Sequence, residues 1–256
     1  MKLAVNLSLI FTEVPLIERF QLAKQHGFDH VEIQFPYELS IPEIREQLDQ
    51  HQLSLCLINV PAGDLMTGGN GLAGIPGEEL NYKHALEKAI AYAKALGIPR
   101  LNVLAGRQPE DADLLPCLNT LADNLKLTCL MCHDAGIEPV IEVINGIDMP
   151  RFLLQNIAQA QEMREAVQSP HLKLQFDCYH MAMMGEDVLE VLQENIDWIG
   201  HIQVADYPHR HEPLTGMLPF ADLFAWLKQH YKKFVAAEYK PESTSSLSFE
   251  WKNKFF

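Results

Sequence analysis

Four polar residues stand in segments that otherwise have the composition of buried strands. Glu142 interrupts the apolar run at 140–144, and Asp177 closes the run that begins at Leu174. Gln203 lies within 201–204, and Glu238 follows two alanines. A buried strand rarely carries a carboxylate, because removing an unpaired charge from water costs several kcal/mol. These four residues are therefore the first candidates for chemistry.

Three carboxylates brought close together repel one another unless a cation neutralises them. The candidate set offers carboxylate oxygens from Glu142, Asp177 and Glu238 and an amide oxygen from Gln203. Oxygen donors of this kind suit Mg²⁺ or Mn²⁺ better than zinc. The sequence therefore predicts one divalent cation, Mg²⁺ or Mn²⁺, held by these four residues.

The elements that must position these residues repeat one unit, a short apolar strand followed by a polar loop and an amphipathic helix. Alternation of strand and helix is typical of a parallel sheet, and eight units predict closure into a (β/α)₈ barrel, with active-site residues at the carboxyl ends of the strands. The predicted strands are Leu3–Leu7, His30–Phe35, Ser54–Val60, Arg100–Ala105, Glu138–Ile144, Leu172–Asp177, Gly200–Asp206 and Phe234–Tyr239.

No linker or low-complexity segment divides the chain, so residues 1–256 are predicted to form a single domain. The one long interruption is 61–79, whose glycines and prolines disfavour regular structure. Loops of this length are commonly lids or binding loops. Little sequence follows the eighth strand, so a brief or irregular last helix is expected.

Composition limits the classes of partner. The chain has 256 residues, the usual length of one (β/α)₈ barrel, and 48% of them are hydrophobic. Its formal net charge is −14, which disfavours nucleic acid as a partner because phosphate backbones are repelled. No apolar run has the length of a membrane span, so no membrane partner and a cytoplasmic location are expected.

Five cysteines at irregular spacing predict reduced thiols rather than a disulfide framework. Cys129, Cys132 and His133 match the C-x-x-C-H pattern of covalent haem attachment. The two cysteines also continue an apolar helical stripe, however, and this pattern favours burial in a core over haem binding.

Two other groups near the strand ends carry alternative chemistries. Lys240 follows the eighth strand, where a lysine could form a Schiff base, but neighbouring carboxylates favour its protonated form. His209 and His211 flank Arg210 and could hold a second metal, although histidines in such loops are more often solvated.

Eight motifs spread over nearly the whole chain resemble the hydroxypyruvate isomerase family, which belongs to the xylose isomerase-like barrels. The motifs are NLS (6–8), FTEVP (11–15), VEIQFPY (31–37), PAGD (61–64), IEVINGIDMP (141–150), FDCYH (176–180), PHRHEP (208–213) and EYKP (238–241). Two positions depart from the family pattern near the expected mouth, namely Glu78 where an arginine is common and Met217 where a glutamate is common.

The resemblance implies a role for each candidate residue. It implies that Glu142, Asp177, Gln203 and Glu238 hold the metal, and that Glu142 and Glu238 also act as the acid–base pair. It implies that the remaining candidates, His180, Arg210 and Asp148, contact the substrate. Arg210 can pair with a substrate carboxylate through two parallel hydrogen bonds.

The implied reaction is the interconversion of hydroxypyruvate and tartronate semialdehyde, or of a longer 2-oxo acid such as a 2-oxo-tetronate and its isomer. One glutamate would remove a carbon-bound proton and the other would return one to the neighbouring carbon. A sugar epimerase, a sugar-acid lyase or dehydratase, and a phosphodiesterase or abasic-site nuclease on the same barrel remain as alternatives. The sequence leaves the oligomeric state open, a homo-oligomer included.

Overall fold

The computed structural model describes all 256 residues and contains eight parallel strands that form a closed barrel in the order β1 to β8. The predicted (β/α)₈ fold is thus confirmed. The strands are β1 (Lys2–Asn6), β2 (His30–Ile33), β3 (Ser54–Asn59), β4 (Arg100–Val103), β5 (Glu138–Glu142), β6 (Lys173–Asp177), β7 (Ile199–Val204) and β8 (Phe234–Ala237).

Nine α-helices accompany the strands, and two short 3-10 helices lie at Leu65–Thr67 and Ser245–Leu247. Two helices separate β6 from β7, whereas the repeating pattern predicted one. The last helix has only six residues, as expected from the short sequence after β8. The helices are α1 (Leu16–Gln25), α2 (Ile41–His51), α3 (Glu79–Leu96), α4 (Leu114–Ala135), α5 (Ile157–Val167), α6 (Cys178–Met183), α7 (Val188–Asn195), α8 (Phe220–His230) and α9 (Glu250–Phe255).

Most strands end one or two residues earlier than the apolar pattern predicts. Glu142 and Asp177 are the last residues of β5 and β6, and Gln203 is the penultimate residue of β7. Glu238 was expected inside β8 but follows it, since the register with β1 ends at the pair Val5 and Ala237. All four therefore lie at carboxyl ends of strands, where a barrel of this kind places its active site.

The chain divides into two compact units, of which the first comprises Met1–Leu57 and Phe176–Phe256. Within it, β1 pairs with β2 on one side and with β8 on the other. The first register sets Asn6 beside Glu32, and the register of β7 with β8 sets Gln203 beside Ala236. Residues paired in this way point to the same face of the sheet, so the Asn6 and Glu32 side chains can meet.

The second unit comprises Ile58–Gln175 and contains β4, β5 and the helices α3 to α5. The long segment after β3, residues 61–79, packs against other residues of the second unit. A Cβ added to Gly74 would lie 2.8 Å from the Ala105 carbonyl oxygen, and Asn124 Nδ2 donates to the Ala73 carbonyl at 2.8 Å. The segment also contains one 3-10 turn, where no regular structure was expected. Its role as a lid or binding loop stays a prediction, as does the single-domain assignment.

All five cysteines are free, as predicted, and all five are buried, which was predicted for Cys129 and Cys132. Burial raises the pKa of Cys132 to about 12, so this thiol is a poor nucleophile and behaves as a small core residue. No helix is both long enough and apolar enough to cross a membrane.

Candidate active site

A guanidinium group lies between two buried carboxylates at the carboxyl ends of the strands in the first unit. Arg210 Nη2 donates to Asp177 Oδ2 at 3.0 Å and to Glu238 Oε2 at 2.6 Å. The side-chain exposure is 0% for Asp177 and 3% for Glu238. Two negative charges removed from water in this way require a cation, and Arg210 supplies one. With His180, these three residues form a group that we call the Arg210 cluster.

Burial dominates the electrostatics of Asp177. Desolvation raises the pKa of its carboxyl group, although the Arg210 charge and backbone N–H groups, including that of Tyr179 at 2.9 Å, act in the opposite direction. The net rise means that this carboxylate is held at an energetic cost that a nearby cation reduces. Such perturbed groups in a cluster are characteristic of functional sites.

His180 joins the Arg210 cluster because helix α6 begins directly after Asp177. Three residues along the helix, His180 Nε2 lies 3.5 Å from Asp177 Oδ2. Burial, and secondarily the Arg210 charge, hold the pKa of His180 well below its usual value. The imidazole is therefore neutral near pH 7, and one ring nitrogen can donate while the other accepts.

A second set of buried polar side chains lies in the same unit, and we call Asn6, Glu32, His201 and Gln203 the Glu32 network. Glu32 Oε1 accepts from Asn6 Nδ2 and from Gln203 Nε2, both at 2.8 Å. Glu32 Oε2 lies 2.5 Å from His201 Nε2. Asn6 Nδ2 also donates to Glu238 Oε1 at 2.8 Å, which joins the Glu32 network to the Arg210 cluster.

The Glu32 network decides which way the Gln203 amide faces. A carboxylate oxygen accepts hydrogen bonds, so the nitrogen of the amide must be the atom that meets Glu32. The amide oxygen then lies on the opposite side of the group. The contact with Glu32 thus fixes which end of the Gln203 amide is nitrogen and which is the oxygen that the sequence predicts as a ligand.

Sequence reasoning missed Glu32, Asn6 and His201 as members of the site. The signal for Glu32 was present, since it stands between Val31 and Ile33 in a predicted strand, just as Glu142 stands between Ile141 and Val143. The same rule about carboxylates in buried strands would have identified it. No comparable pattern marks His201, whose partner lies 169 positions away in the sequence.

The remaining predicted site residues, Glu142 and Asp148, belong to the second unit. Glu142 is buried at the end of β5 and accepts from Asn102 Nδ2 through Oε2 at 2.8 Å. Asp148 is exposed in the turn that follows, where Asn145 Nδ2 donates to its Oδ2 at 3.0 Å. Asn145 also accepts from the Asp148 backbone N–H, so the turn holds this carboxylate in place.

The two alternative groups named from the sequence lie near the surface. The Lys240 side chain is exposed and lacks the apolar surroundings that activate a Schiff-base lysine. His211 Nδ1 lies 2.8 Å from the Lys240 carbonyl oxygen, a backbone contact that uses one of its ring nitrogens. His209 is exposed, with its ring centroid 5.8 Å from that of His211. These contacts favour a structural interpretation of both histidines.

Comparison with known proteins connects this geometry to a family. Residues 20–254 match the family model of the xylose isomerase-like TIM barrels. The 2-oxo-tetronate isomerase of Cupriavidus necator is 37% identical over 251 residues, which cover 98% of this chain and 96% of that protein. The hydroxypyruvate isomerase of Escherichia coli is 36% identical over 256 residues, which cover 100% of this chain and 99% of that protein.

A solved structure extends the likeness to three dimensions. The crystal structure of an AP endonuclease of family 2 from Brucella melitensis superposes with a TM-score of 0.94 at 32% identity. The superposition covers 99% of this chain and 98% of that one. Matches of this length and identity confirm the resemblance carried by the sequence motifs. The chain therefore belongs to the xylose isomerase-like TIM barrel family and, within it, to the hydroxypyruvate isomerase family, which here includes relatives named 2-oxo-tetronate isomerase.

Proposed function

We propose that this protein is a metal-dependent isomerase that interconverts hydroxypyruvate and tartronate semialdehyde, with the four-carbon 2-oxo-tetronate reaction as the alternative. It is an enzyme of the intramolecular oxidoreductase class, as are the relatives that carry those two names. The observation that carries the proposal is the Arg210 cluster, which sets a cation between two buried carboxylates at the strand ends. It acts on a free small molecule in the cytoplasm, with neither nucleic acid nor a membrane as partner.

The donor set supports one divalent cation, Mg²⁺ or Mn²⁺. Glu142, Asp177, Gln203 and Glu238 are the proposed ligands, and all four are buried. Beside Asp177 in the first unit, His180 also offers an imidazole nitrogen to a metal. The raised pKa of Asp177 fits this assignment, because a second positive charge beside Arg210 would relieve the cost of its burial. When bound, such an ion supplies Lewis-acid polarisation of a substrate carbonyl.

Glu142 and Glu238 are the proposed acid–base pair. The reaction moves one proton between neighbouring carbons of the substrate, so one carboxylate must accept it and another must return it. Asn6 Nδ2 and Gln34 Nε2 both donate to Glu238 Oε1, at 2.8 and 3.0 Å, and hold this carboxyl group in one orientation. Asn102 does the same for Glu142 through Oε2.

Arg210, His180 and Asp148 are the proposed substrate contacts. A substrate carboxylate is the same kind of acceptor that Arg210 already meets in Asp177 and Glu238, so its guanidinium is suited to an acid substrate. The neutral imidazole of His180 can donate a hydrogen bond to a substrate oxygen without adding charge.

A proton-NMR assay in deuterated water tests the reaction and the metal together. The protein is first stripped with a chelator and shown to be metal-free by elemental analysis, and then assayed with hydroxypyruvate and with a 2-oxo-tetronate, with and without Mg²⁺ or Mn²⁺. We expect deuterium at the carbons next to the carbonyl group, a loss of at least about 100-fold without metal, and recovery when metal is restored.

Several outcomes contradict the proposal. Full activity of the metal-free protein would show that the reaction needs no metal. Turnover of keto sugars but of neither acid would identify a sugar epimerase. Cleavage of a duplex that contains an abasic site, with no isomerisation, would identify the activity named for the Brucella melitensis relative.

A further inference from the structure

A buried aspartate organises the loop that carries Arg210. Asp206 follows β7 by two residues, and its carboxylate accepts four backbone N–H groups. Oδ1 accepts from Tyr207 at 2.9 Å and from Leu218 at 3.0 Å. Oδ2 accepts from Leu214 and from Gly216, both at 2.9 Å. These bonds gather residues 206–218, which we call the Asp206 loop, around one side chain.

The backbone of Arg210 is held inside the Asp206 loop. Its N–H donates to the Asp206 carbonyl at 2.9 Å, and its own carbonyl accepts from the Lys240 N–H at 2.8 Å. The Asp206 N–H donates to the His211 carbonyl at 2.8 Å. Arg210 has a φ of 58°, a left-handed conformation that a residue with a side chain adopts only when its surroundings hold it. The loop therefore sets the point from which the guanidinium reaches Asp177 and Glu238.

The bonds of Asp206 require a carboxylate. An ionised carboxyl group offers acceptor sites on both oxygens, and each Asp206 oxygen meets two backbone donors. An asparagine has one acceptor oxygen, so its NH₂ group would face two N–H groups that it cannot satisfy. The space is also limited, since a Cβ added to Gly216 would lie 2.0 Å from the Tyr207 carbonyl oxygen and 2.7 Å from Asp206 Oδ1.

We propose that Asp206 is a positioning residue that acts on the substrate only through Arg210. Four backbone N–H groups occupy both oxygens of Asp206. Its function therefore differs from that of Asp177, the other buried aspartate at a strand end. The proposal rests on the substrate role proposed for Arg210. We further propose that the rigidity of the Asp206 loop determines the ratio of kcat/KM for an acid substrate to kcat/KM for an uncharged one.

The test compares Asp206→Asn, Arg210→Ala and the double variant in the full chain with Mg²⁺. We expect Asp206→Asn to lower kcat/KM for hydroxypyruvate about 10- to 100-fold, with a smaller change for uncharged dihydroxyacetone. The double variant should be within about twofold of Arg210→Ala alone, because residues that act as one unit do not lose activity independently. Losses that multiply in the double variant would overturn the proposal.

A second measurement does not depend on activity. Phenylglyoxal modifies exposed guanidinium groups, and peptide mass spectrometry follows Arg210 separately from Arg19, which donates to the Val14 and Leu7 carbonyls and serves as the internal reference. Asp206→Asn should speed modification of Arg210 about tenfold or more and leave Arg19 unchanged. An unchanged Arg210 rate would overturn the proposal even if activity fell.

A substitute variant and the modification rates separate failure of this proposal from failure of the proposed function. If Asp206→Asn does not fold, Asp206→Glu keeps the negative charge, moves the carboxylate by one methylene and should also speed Arg210 modification; an unchanged rate there would contradict the proposal. If the wild-type protein does not isomerise either acid, the proposed function fails, whereas the Arg210 modification rates still decide whether Asp206 positions this residue.

Discussion

The Arg210 cluster and the Asp206 loop both contain a buried aspartate at the end of a strand, and they satisfy it in different ways. One oxygen of Asp177, Oδ1, accepts the Tyr179 N–H, but its other oxygen, Oδ2, meets side chains, chiefly the guanidinium of Arg210. Asp206 meets four backbone N–H groups of its own loop. Side-chain partners can exchange for a ligand, whereas backbone partners cannot leave without unfolding the loop. Burial of a carboxylate therefore does not by itself indicate chemistry, and the identity of its partners does.

The sharpest test of this comparison is the removal of one carboxylate charge from the Arg210 cluster. We expect Glu238→Gln to lower kcat about 10²- to 10⁴-fold, because a neutral amide cannot exchange a proton with the substrate. The melting temperature should change little, since Arg210 keeps its bond to Asp177. Steady-state kinetics and calorimetry measure both effects, and Glu142→Gln should lose activity to a similar extent.

The control for Glu238→Gln is Glu250→Gln, which removes the same charge from the exposed first turn of α9. It should retain the wild-type rate. If Glu238→Gln kept its rate within a few-fold with metal still bound, Glu238 would be no acid–base catalyst. If it instead unfolded the protein, the distinction between the Arg210 cluster and the Asp206 loop would fail.

A smaller effect is expected from Glu32, whose carboxylate is met by side chains but which reaches the proposed acid–base residue Glu238 only through Asn6. Glu32→Gln leaves one acceptor oxygen where Glu32 offers two, and this weakens the contact that orients the Gln203 nitrogen. We expect metal affinity to fall about 10- to 100-fold, the usual cost of losing a residue that orients a ligand. Isothermal titration with Mn²⁺ measures it, with the exposed Glu46→Gln as the control.

Unchanged Mn²⁺ affinity in Glu32→Gln would mean that the Glu32 network supports the fold alone. A drop in melting temperature without any change in metal binding would lead to the same conclusion. Either result would mean that Glu32, like Asp206, has a structural role and does not take part in the chemistry as proposed for Asp177.

The smallest effect is expected at Tyr179, whose ring lies against Arg210 with 5.1 Å from the guanidinium carbon to the ring centroid. Contacts of this kind contribute about 0.5–2 kcal/mol. Tyr179→Leu should therefore lower kcat/KM for the acid substrate about 2- to 30-fold. Tyr179→Phe keeps the ring and is the matched control; an equal loss in both variants would assign the effect to the hydroxyl group.

Much of the fold could be predicted from the sequence because the signals are local. The apolar runs of the eight strands, the intervening helical patterns and the glycines at 97 and 136 that end α3 and α4 each depend on neighbouring residues. The predicted strands were too long at their carboxyl ends, since apolar composition continues past the last ladder bond. Glu238 shows this, because it follows β8 in an apolar context but lies beyond the register with β1.

The partners of the site residues could not be predicted in this way. The sequence by itself determined that carboxylates occur where buried strands end, because solvation makes them costly there and periodicity places the strands. Only the tertiary structure decided that Arg210 lies between Asp177 and Glu238, and that Glu32 meets His201 across 169 positions. The physical reason is that each contact joins strands or loops distant in sequence, whose relative position follows from barrel closure and the register of the pairs. Asp206 belongs to the same class: its type is visible in the sequence, whereas the four N–H groups that give it a structural function depend on the path of the loop.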